Sequence, residues 1–364
     1  MISLTLSATL QGEEAAPFVV RLSQPNPDLH AGLPAATFAE PLNMQGTLFR
    51  TEYGDLQINA PRGMNLIGDV VLVEPEQRRI HRWFRAGDTQ NTLLITERCD
   101  QLCIMCSQPP RKSHDDWFAE YELACLLADP GSDIGLSGGE PTLYKDQLLG
   151  MIERVSERRD DLTFHVLTNA QHFTETDVRR LNRLKLDIVW GVPIYAANPR
   201  VHDEIVSKQG AFKELRNGLA TLLASGSRIE LRTVVLRQNI AHLRELATFV
   251  ASRLRGVECW SLMQLERQGF AKNRWNEQFF DHSVDFGAIA EATTLTRSRG
   301  IETLLYNMPR CTVPAPFRPY APVTISDWKR AFLPECANCD EQSLCSGLFA
   351  WHGENNPYGK WGPL

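Results

Sequence analysis

The chain has 364 residues, 43% hydrophobic and 23% charged, with a net charge of -6 from 38 Lys and Arg against 44 Asp and Glu. That balance excludes a disordered chain, a collagen-like fibre and a multi-span membrane protein, and its length suggests roughly two domains. A mildly acidic protein also lacks the broad positive field of a duplex nucleic-acid binder, and no run of about 18 apolar residues marks a membrane span.

Residues 1–6 alternate like a strand and carry no basic leader segment, so no signal peptide and a cytoplasmic location are expected. Short apolar runs at 17–20, 46–49 and 69–73 are punctuated by turn residues at 25–27, 61–63 and 74–75. This spacing predicts a β-rich N-terminal region over residues 1–90. The basic runs at 78–82 and 179–180 lack interleaved aromatics and read as solvated faces, with no nucleic acid and no membrane as partner.

From residue 91 the pattern changes to alternating strand and helix. Strands are expected at 92–96, 134–136, 163–168, 186–192, 229–236 and 257–265. Helical stripes lie between them, at Leu148, Leu149, Ile152 and Val155, then Phe212, Leu215, Leu219 and Leu222, then Leu243, Leu246, Ala247, Val250 and Leu254. Thr174 with Asp177 fits a capping box, and Asn239 is the N-cap expected for the third stripe. Six βα repeats imply an α/β fold with a parallel sheet, too few for a closed eight-unit barrel and better suited to an open, partial (β/α)6 barrel. Chemistry in such a sheet belongs at the C-terminal strand ends. The expected domains are 1–90, 91–300 and a cysteine-rich C-terminal extension, 301–364.

Nine cysteines fall mostly into two tight clusters. Clustering in a long chain reads as metal ligation rather than a disulfide framework. Cys99, Cys103 and Cys106 spell C-x3-C-x2-C directly after the first parallel strand. Three thiolates on one loop can hold three irons of a cubane and leave the fourth open to another ligand, whereas purely electron-carrying clusters usually have four. A zinc site completed by a distant residue is the alternative. After the second strand comes Ser137-Gly138-Gly139-Glu140-Pro141, where two glycines let the backbone approach a ligand and the carboxylate can accept from an ammonium or hydroxyl. Cys311, Cys336, Cys339 and Cys345 form the second cluster, a closed four-thiolate set suited to an electron-transfer or structural site, zinc included. Cys125 sits in an apolar helix and reads as a buried free thiol.

The C-x3-C-x2-C loop followed one βα unit later by Gly-Gly-Glu-Pro resembles the radical S-adenosylmethionine superfamily over residues 91–265. The resemblance implies a [4Fe–4S] cluster on Cys99, Cys103 and Cys106 with an open iron chelated by S-adenosylmethionine. One-electron reduction would release a 5′-deoxyadenosyl radical that abstracts hydrogen from substrate. It further implies a cofactor-binding role for Gly138, Gly139, Glu140 and Pro141, with Glu140 near the methionyl amine. Thr168 and Asn169 would face the ribose, and Arg232 would hold the methionyl carboxylate. Met105 stands where the family usually has an aromatic residue against adenine, so altered packing is expected. The second cysteine set resembles the twitch/SPASM-like extension, implying an auxiliary [4Fe–4S] cluster.

The segment from His202 and Asp203 through Lys208, Gly210, Ala211 and Phe212 resembles a loop of peptide-modifying members. The strings at 107–110, 325–329 and 346–349 resemble the His-Xaa-Ser system maturases of the HxsC type. That resemblance implies a small peptide or protein substrate, a second radical SAM maturase as partner, and an electron donor such as flavodoxin or ferredoxin. The alternatives are radical chemistry on a nucleotide or other small metabolite, and a zinc-binding module without catalysis.

Overall fold

The computed structural model describes residues 4–25, 32–42, 46–353 and 356–364. The start of the expected first strand (residues 1–3) and part of the expected turn (residues 26 and 27) lie outside the described residues.

Seven strands, β1 (Thr5–Gln11), β2 (Phe18–Ser23), β3 (Ala35–Leu42), β4 (Gly46–Thr51), β5 (Gly54–Asn59), β6 (Val70–Glu74) and β7 (Arg79–Phe84), make a closed barrel in the order β1-β5-β4-β3-β2-β6-β7. Pairings are antiparallel except β2 with β3, and β7 returns to β1. Closure satisfies both edges, which exposed strands would otherwise leave unpaired. β6 shows why its sequence is a continuous apolar run. Val71 and Val73 point into the barrel core, while Val70 and Leu72 join the core of the second domain. With both faces covered, no polar alternation survives. Within this region Arg82 corrects the expectation of a solvated basic face. It is buried, and its guanidinium donates to Asp69 at 2.6 Å.

The second sheet has seven strands, β8 (Thr92–Thr96), β9 (Asp133–Gly138), β10 (Thr163–Leu167), β11 (Asp187–Pro193), β12 (Arg228–Val234), β13 (Cys259–Met263) and β14 (Glu302–Tyr306). All are parallel and paired in sequence order. Six strands were expected. The seventh, β14, is a five-residue strand that follows helix α9 (Gly287–Arg297) and lies past the expected boundary at residue 300. Sequential order with one crossover hand puts the helices on one side and curls the other into a concave interior. The covering helices are α1 (Phe118–Leu127), α2 (Lys145–Ser156), α3 (Val178–Leu181), α4 (Pro199–Val206), α5 (Ala211–Ala224) and α6 (Leu243–Arg253), with the short α7 (Gly269–Asn273) and α8 (Trp275–Gln278) after β13.

The three apolar stripes are buried as their spacing predicts, on α2, α5 and α6. Asp177 accepts the Thr174 N–H at 2.8 Å, and Cys125 is fully buried in α1. Asn239 departs from expectation. Its side chain turns back toward β12, accepting from Leu236 N at 2.8 Å and donating to Val234 O at 2.9 Å, and makes no cap bond to the helix. Satisfying the buried backbone at the strand exit takes precedence over capping.

After β14 the chain forms short 3-10 turns and one small hairpin, β15 (Arg330–Ala331) with β16 (Leu348–Phe349). Arg85 donates to Asp327 at 2.6 Å, and Ser326 bonds Gln90. The extension therefore reaches from the β14 edge to the chain entering β8, bridging the gap of the open sheet. Among the described residues no helix is long and apolar enough to cross a membrane.

Candidate functional site

The loop leaving β8 carries Cys99, Cys103 and Cys106, and all three line one cavity of about 740 Å³ inside the curled sheet. The loop is clasped from several sides. Leu102 N and Ile104 N donate to Val206 O (3.2 Å) and Ile205 O (2.9 Å), the carbonyls at the C-terminus of α4. Helix ends leave such carbonyls without intrahelical partners, so they are natural docking points. Gln278 donates to Ile104 O at 2.8 Å, and Phe270 N donates to Cys106 O at 2.9 Å.

Gly138 and Gly139 lie at the exit of β9, where the expectation was close approach to a ligand. The structure adds a further reason for glycine. A Cβ on Gly138 would stand 2.2 Å from Thr96 O, and one on Gly139 would stand 2.1 Å from Arg98 O. Gly138 also has φ +140. The glycines let β9 close onto the root of the cysteine loop, and both also line the cavity.

Glu140 is 1% exposed. Its carboxylate accepts from Thr142 N (2.9 Å), the Thr142 hydroxyl, the Thr168 hydroxyl (2.6 Å) and Asn169 N (2.6 Å). Burial pushes its carboxyl above the usual range while these donors pull it back. Glu140, Thr168 and Asn169 thus form one network that ties the ends of β9 and β10 together. Asn169 extends it, donating to Asp100 at 2.9 Å, inside the cysteine loop. Pro141 is buried at the start of a 3-10 turn and is not part of the cavity wall.

Met105 is buried and packs among Tyr195, Ile205, Leu236 and Leu265 while lining the cavity. Arg232, on β12, faces the interior. Its guanidinium donates to Glu230 at 2.8 Å and lies 5.8 Å from the Tyr306 ring centroid. Glu230 is nearly buried, yet its carboxyl is held down to about 2 by Arg232, by His165 at 2.7 Å and by the Ser261 hydroxyl at 2.5 Å. Gly191 makes room for this group, since a Cβ there would meet His165 and Arg232 side chains.

Burial raises the thiol of Cys99 to about 12 and raises Cys103 and Cys106 as well. Neighbouring thiolates add to the effect at Cys103. Three thiolates there require a cationic centre to offset their mutual repulsion. Among the described residues no group of three or more His, Cys, Asp or Glu is arranged to hold a single metal ion. Ligands of one zinc ion stand about 2.3 Å from a common point, whereas thiolates of a multi-iron cluster bind different irons.

The second cysteine set lies just beyond β14. Cys311, Cys336, Cys339 and Cys345 surround a small pocket closed by Phe332, Trp361 and Pro363. Arg310 N and Gly347 N each donate to Cys345 Sγ at 3.3 Å, and Leu364 N donates to Cys339 Sγ at 3.5 Å. Residues 361–364 therefore cover the cysteines.

Several residues at or beside the site were given no site role by the sequence. Asp100, His172 and Lys208 meet beside Cys99. Tyr195, Gln264, Glu266 and Lys329 also line the cavity, as do residues 323–326 of the extension. Each comes from a loop whose position depends on how the sheet curls.

Residues 93–250 match the family model of the Radical SAM superfamily. No curated protein matches the chain. Among solved structures, SuiB of Streptococcus suis bound to S-adenosylmethionine is 16% identical with a TM-score of 0.47, over 61% of this chain and 51% of SuiB. A radical SAM methyltransferase from Sphaerobacter thermophilus is 16% identical with a TM-score of 0.43, over 74% of this chain and 76% of that one. The anSMEcpe structure with bound AdoMet is 11% identical with a TM-score of 0.46, over 58% and 63%. The matched part spans about half the length of SuiB. The cysteine loop after the first parallel strand and the glycine loop after the second both lie within residues 93–250, the stretch that matches the Radical SAM superfamily model.

Proposed function

We propose that the chain is a radical S-adenosylmethionine enzyme whose cluster is held by Cys99, Cys103 and Cys106. The observation that carries this reading is the convergence of those thiols with Gly138, Gly139 and Arg232 on one cavity at the C-terminal strand ends. The donor set suits a [4Fe–4S] cluster with one open iron, because the loop brings three thiols, and no fourth cysteine, to that cavity. When bound, this group with S-adenosylmethionine supplies a one-electron cleavage that yields a carbon radical.

The chain's own residues bind and enclose. Arg232, oriented by Glu230, presents a cation for a carboxylate. Met105 supplies an apolar, polarizable surface. Residues 323–326 and Lys329 wall the cavity from the extension and keep water from the reacting atoms. Glu140, Thr168 and Asn169 hold the loops in register, so their contribution to ligand binding is through position. The test is anaerobic reconstitution followed by dithionite reduction, with 5′-deoxyadenosine as product. Replacing Cys99, Cys103 and Cys106 with alanine should abolish that product and lower iron from about eight to about four per chain, at four per cubane. Unchanged iron would refute the assignment.

The finer reading is a peptide maturase of the His-Xaa-Ser type with an auxiliary cluster on Cys311, Cys336, Cys339 and Cys345. It has support in where the resembling strings lie. Ser107, Gln108, Pro110, Ile325, Ser326, Lys329 and Phe349 all line the cavity. A second radical SAM protein and a flavodoxin or ferredoxin in the cytoplasm complete the proposal. Incubation with a His-Xaa-Ser repeat protein should change its mass; an unaltered substrate redirects the search to small metabolites.

A further inference from the structure

The segment joining α4 to α5 is built to hold the cysteine loop. Asp203 accepts from Gly210 N (2.6 Å) and Phe212 N (2.8 Å), folding residues 203–212 into a tight turn. Ser207 and Gly210 take left-handed conformations within it. The turn presents Lys208. Its ammonium donates to Asp100 at 2.7 Å and to Gln171 at 2.7 Å, and lies 2.7 Å from Glu214. Asp100 directly follows Cys99. Its other contacts are the Asn169 amide (2.9 Å) and His172 Nε2 (3.3 Å). Two residues further along, the α4 carbonyls receive Leu102 N and Ile104 N on either side of Cys103.

We propose that Lys208 and Asp100 are a positioning pair for the cluster of the three-cysteine loop, fixing Cys99 and setting the charge beside it. This rests on the reading that Cys99, Cys103 and Cys106 hold that cluster. The pair joins three loops at one point, and both side chains are largely buried, about a quarter exposed. Its attraction is therefore less screened than that of a surface pair. Outer contacts of this kind orient the ligands, and their loss typically costs ten- to hundred-fold in metal affinity, on the order seen for other second-layer residues.

The two partners carry opposite charges, which separates a positioning role from simple loosening. Lys208→Met leaves the Asp100 carboxylate beside the cluster and makes it harder to reduce. Asp100→Asn leaves the ammonium and makes it easier to reduce. Both break the tie, so both should release iron from this cluster to a chelator about ten-fold faster than the wild type. Lys208→Arg keeps the charge and should restore the wild-type potential.

The experiment is an EPR-monitored redox titration and a chelator time course on the reconstituted full chain. The signal of this cluster is assigned by difference from the chain lacking Cys99, Cys103 and Cys106. Opposite shifts in midpoint potential for the two variants, with faster iron release, support the pair. Shifts in the same direction, or potentials and release rates equal to the wild type, overturn it while leaving the cluster in place. Iron content unaffected by removal of the three cysteines overturns the cluster reading itself, and the inference with it.

Discussion

The Asn169 backbone N–H donates to the Glu140 carboxylate at 2.6 Å, joining the exits of two neighbouring parallel strands, β9 and β10. Three further donors converge on the same buried carboxylate. Glu140 therefore acts first as the pin of the cavity rim.

Glu140→Gln tests that role. The substituted amide brings two N–H groups to a place surrounded by donors, so at least one buried donor loses its acceptor. The expected cost is about 2–4 kcal/mol, from one or two unsatisfied buried groups. Chemical denaturation should show it. Stability equal to the wild type, with only ligand affinity reduced, would return Glu140 to a direct binding role.

Gly139→Ala should disturb the cysteine loop, because its Cβ would stand 2.1 Å from Arg98 O and 3.1 Å from Cys99 N. Gly131→Ala is the matched comparison. It has φ +69 and open space around the added Cβ, so its cost is about 1 kcal/mol of backbone strain. The expected order of melting temperatures is wild type, then Gly131→Ala, then Gly139→Ala well below. Equal losses for the two variants would show that the contact with the cysteine loop is easily relaxed.

His282 predicts an acid limb of stability. It is fully buried between the Gln264 side chain (2.7 Å) and the Thr312 hydroxyl (2.7 Å). Burial lowers it from the ordinary 6.5 to about 4. The unfolded chain then binds a proton that the native chain refuses as pH falls through 6.5. Stability is complete above that value and declines down to about 4, by on the order of 3 kcal/mol for such a shift. His202 adds a limb of the same sign, since burial lowers it to about 4 as well. A His282→Gln chain should show a shallower pH slope of unfolding free energy between 4 and 6.5. A slope unchanged by the substitution would assign the acid limb to other groups.

Asp327→Asn probes the bridge from the extension to the chain entering β8. Asp327 is 46% exposed and its Arg85 partner also bonds Asp88, so the global cost should stay under about 1 kcal/mol. The local effect is larger: limited proteolysis should cut residues 322–330 sooner than in the wild type. Identical cleavage patterns would mean that the Ser326–Gln90 contact alone secures the strap.

The second domain was legible because its signals are local. Apolar stripes on α2, α5 and α6 repeat at helical spacing, and the strands between them are short apolar runs that only a sheet covered on one face and curled on the other accommodates. Cys99, Cys103 and Cys106 could be placed at a strand end from spacing alone, and Gly138 and Gly139 one unit later. The N-terminal strands were also visible as strands, but their closure was not. Barrel closure depends on the pairing of β1 with β7, residues more than seventy positions apart, and no local pattern encodes it. The same distance problem hid the use of Glu140, whose partners arrive from β10, and of Lys208, which reaches Asp100 across 108 positions. Chemical type and spacing are written in order along the chain and decided which residues could carry the chemistry. Which of them touch a ligand, and which instead hold others in place, is a competition among nearby donors and acceptors for each buried charge, and only the folded arrangement decides it.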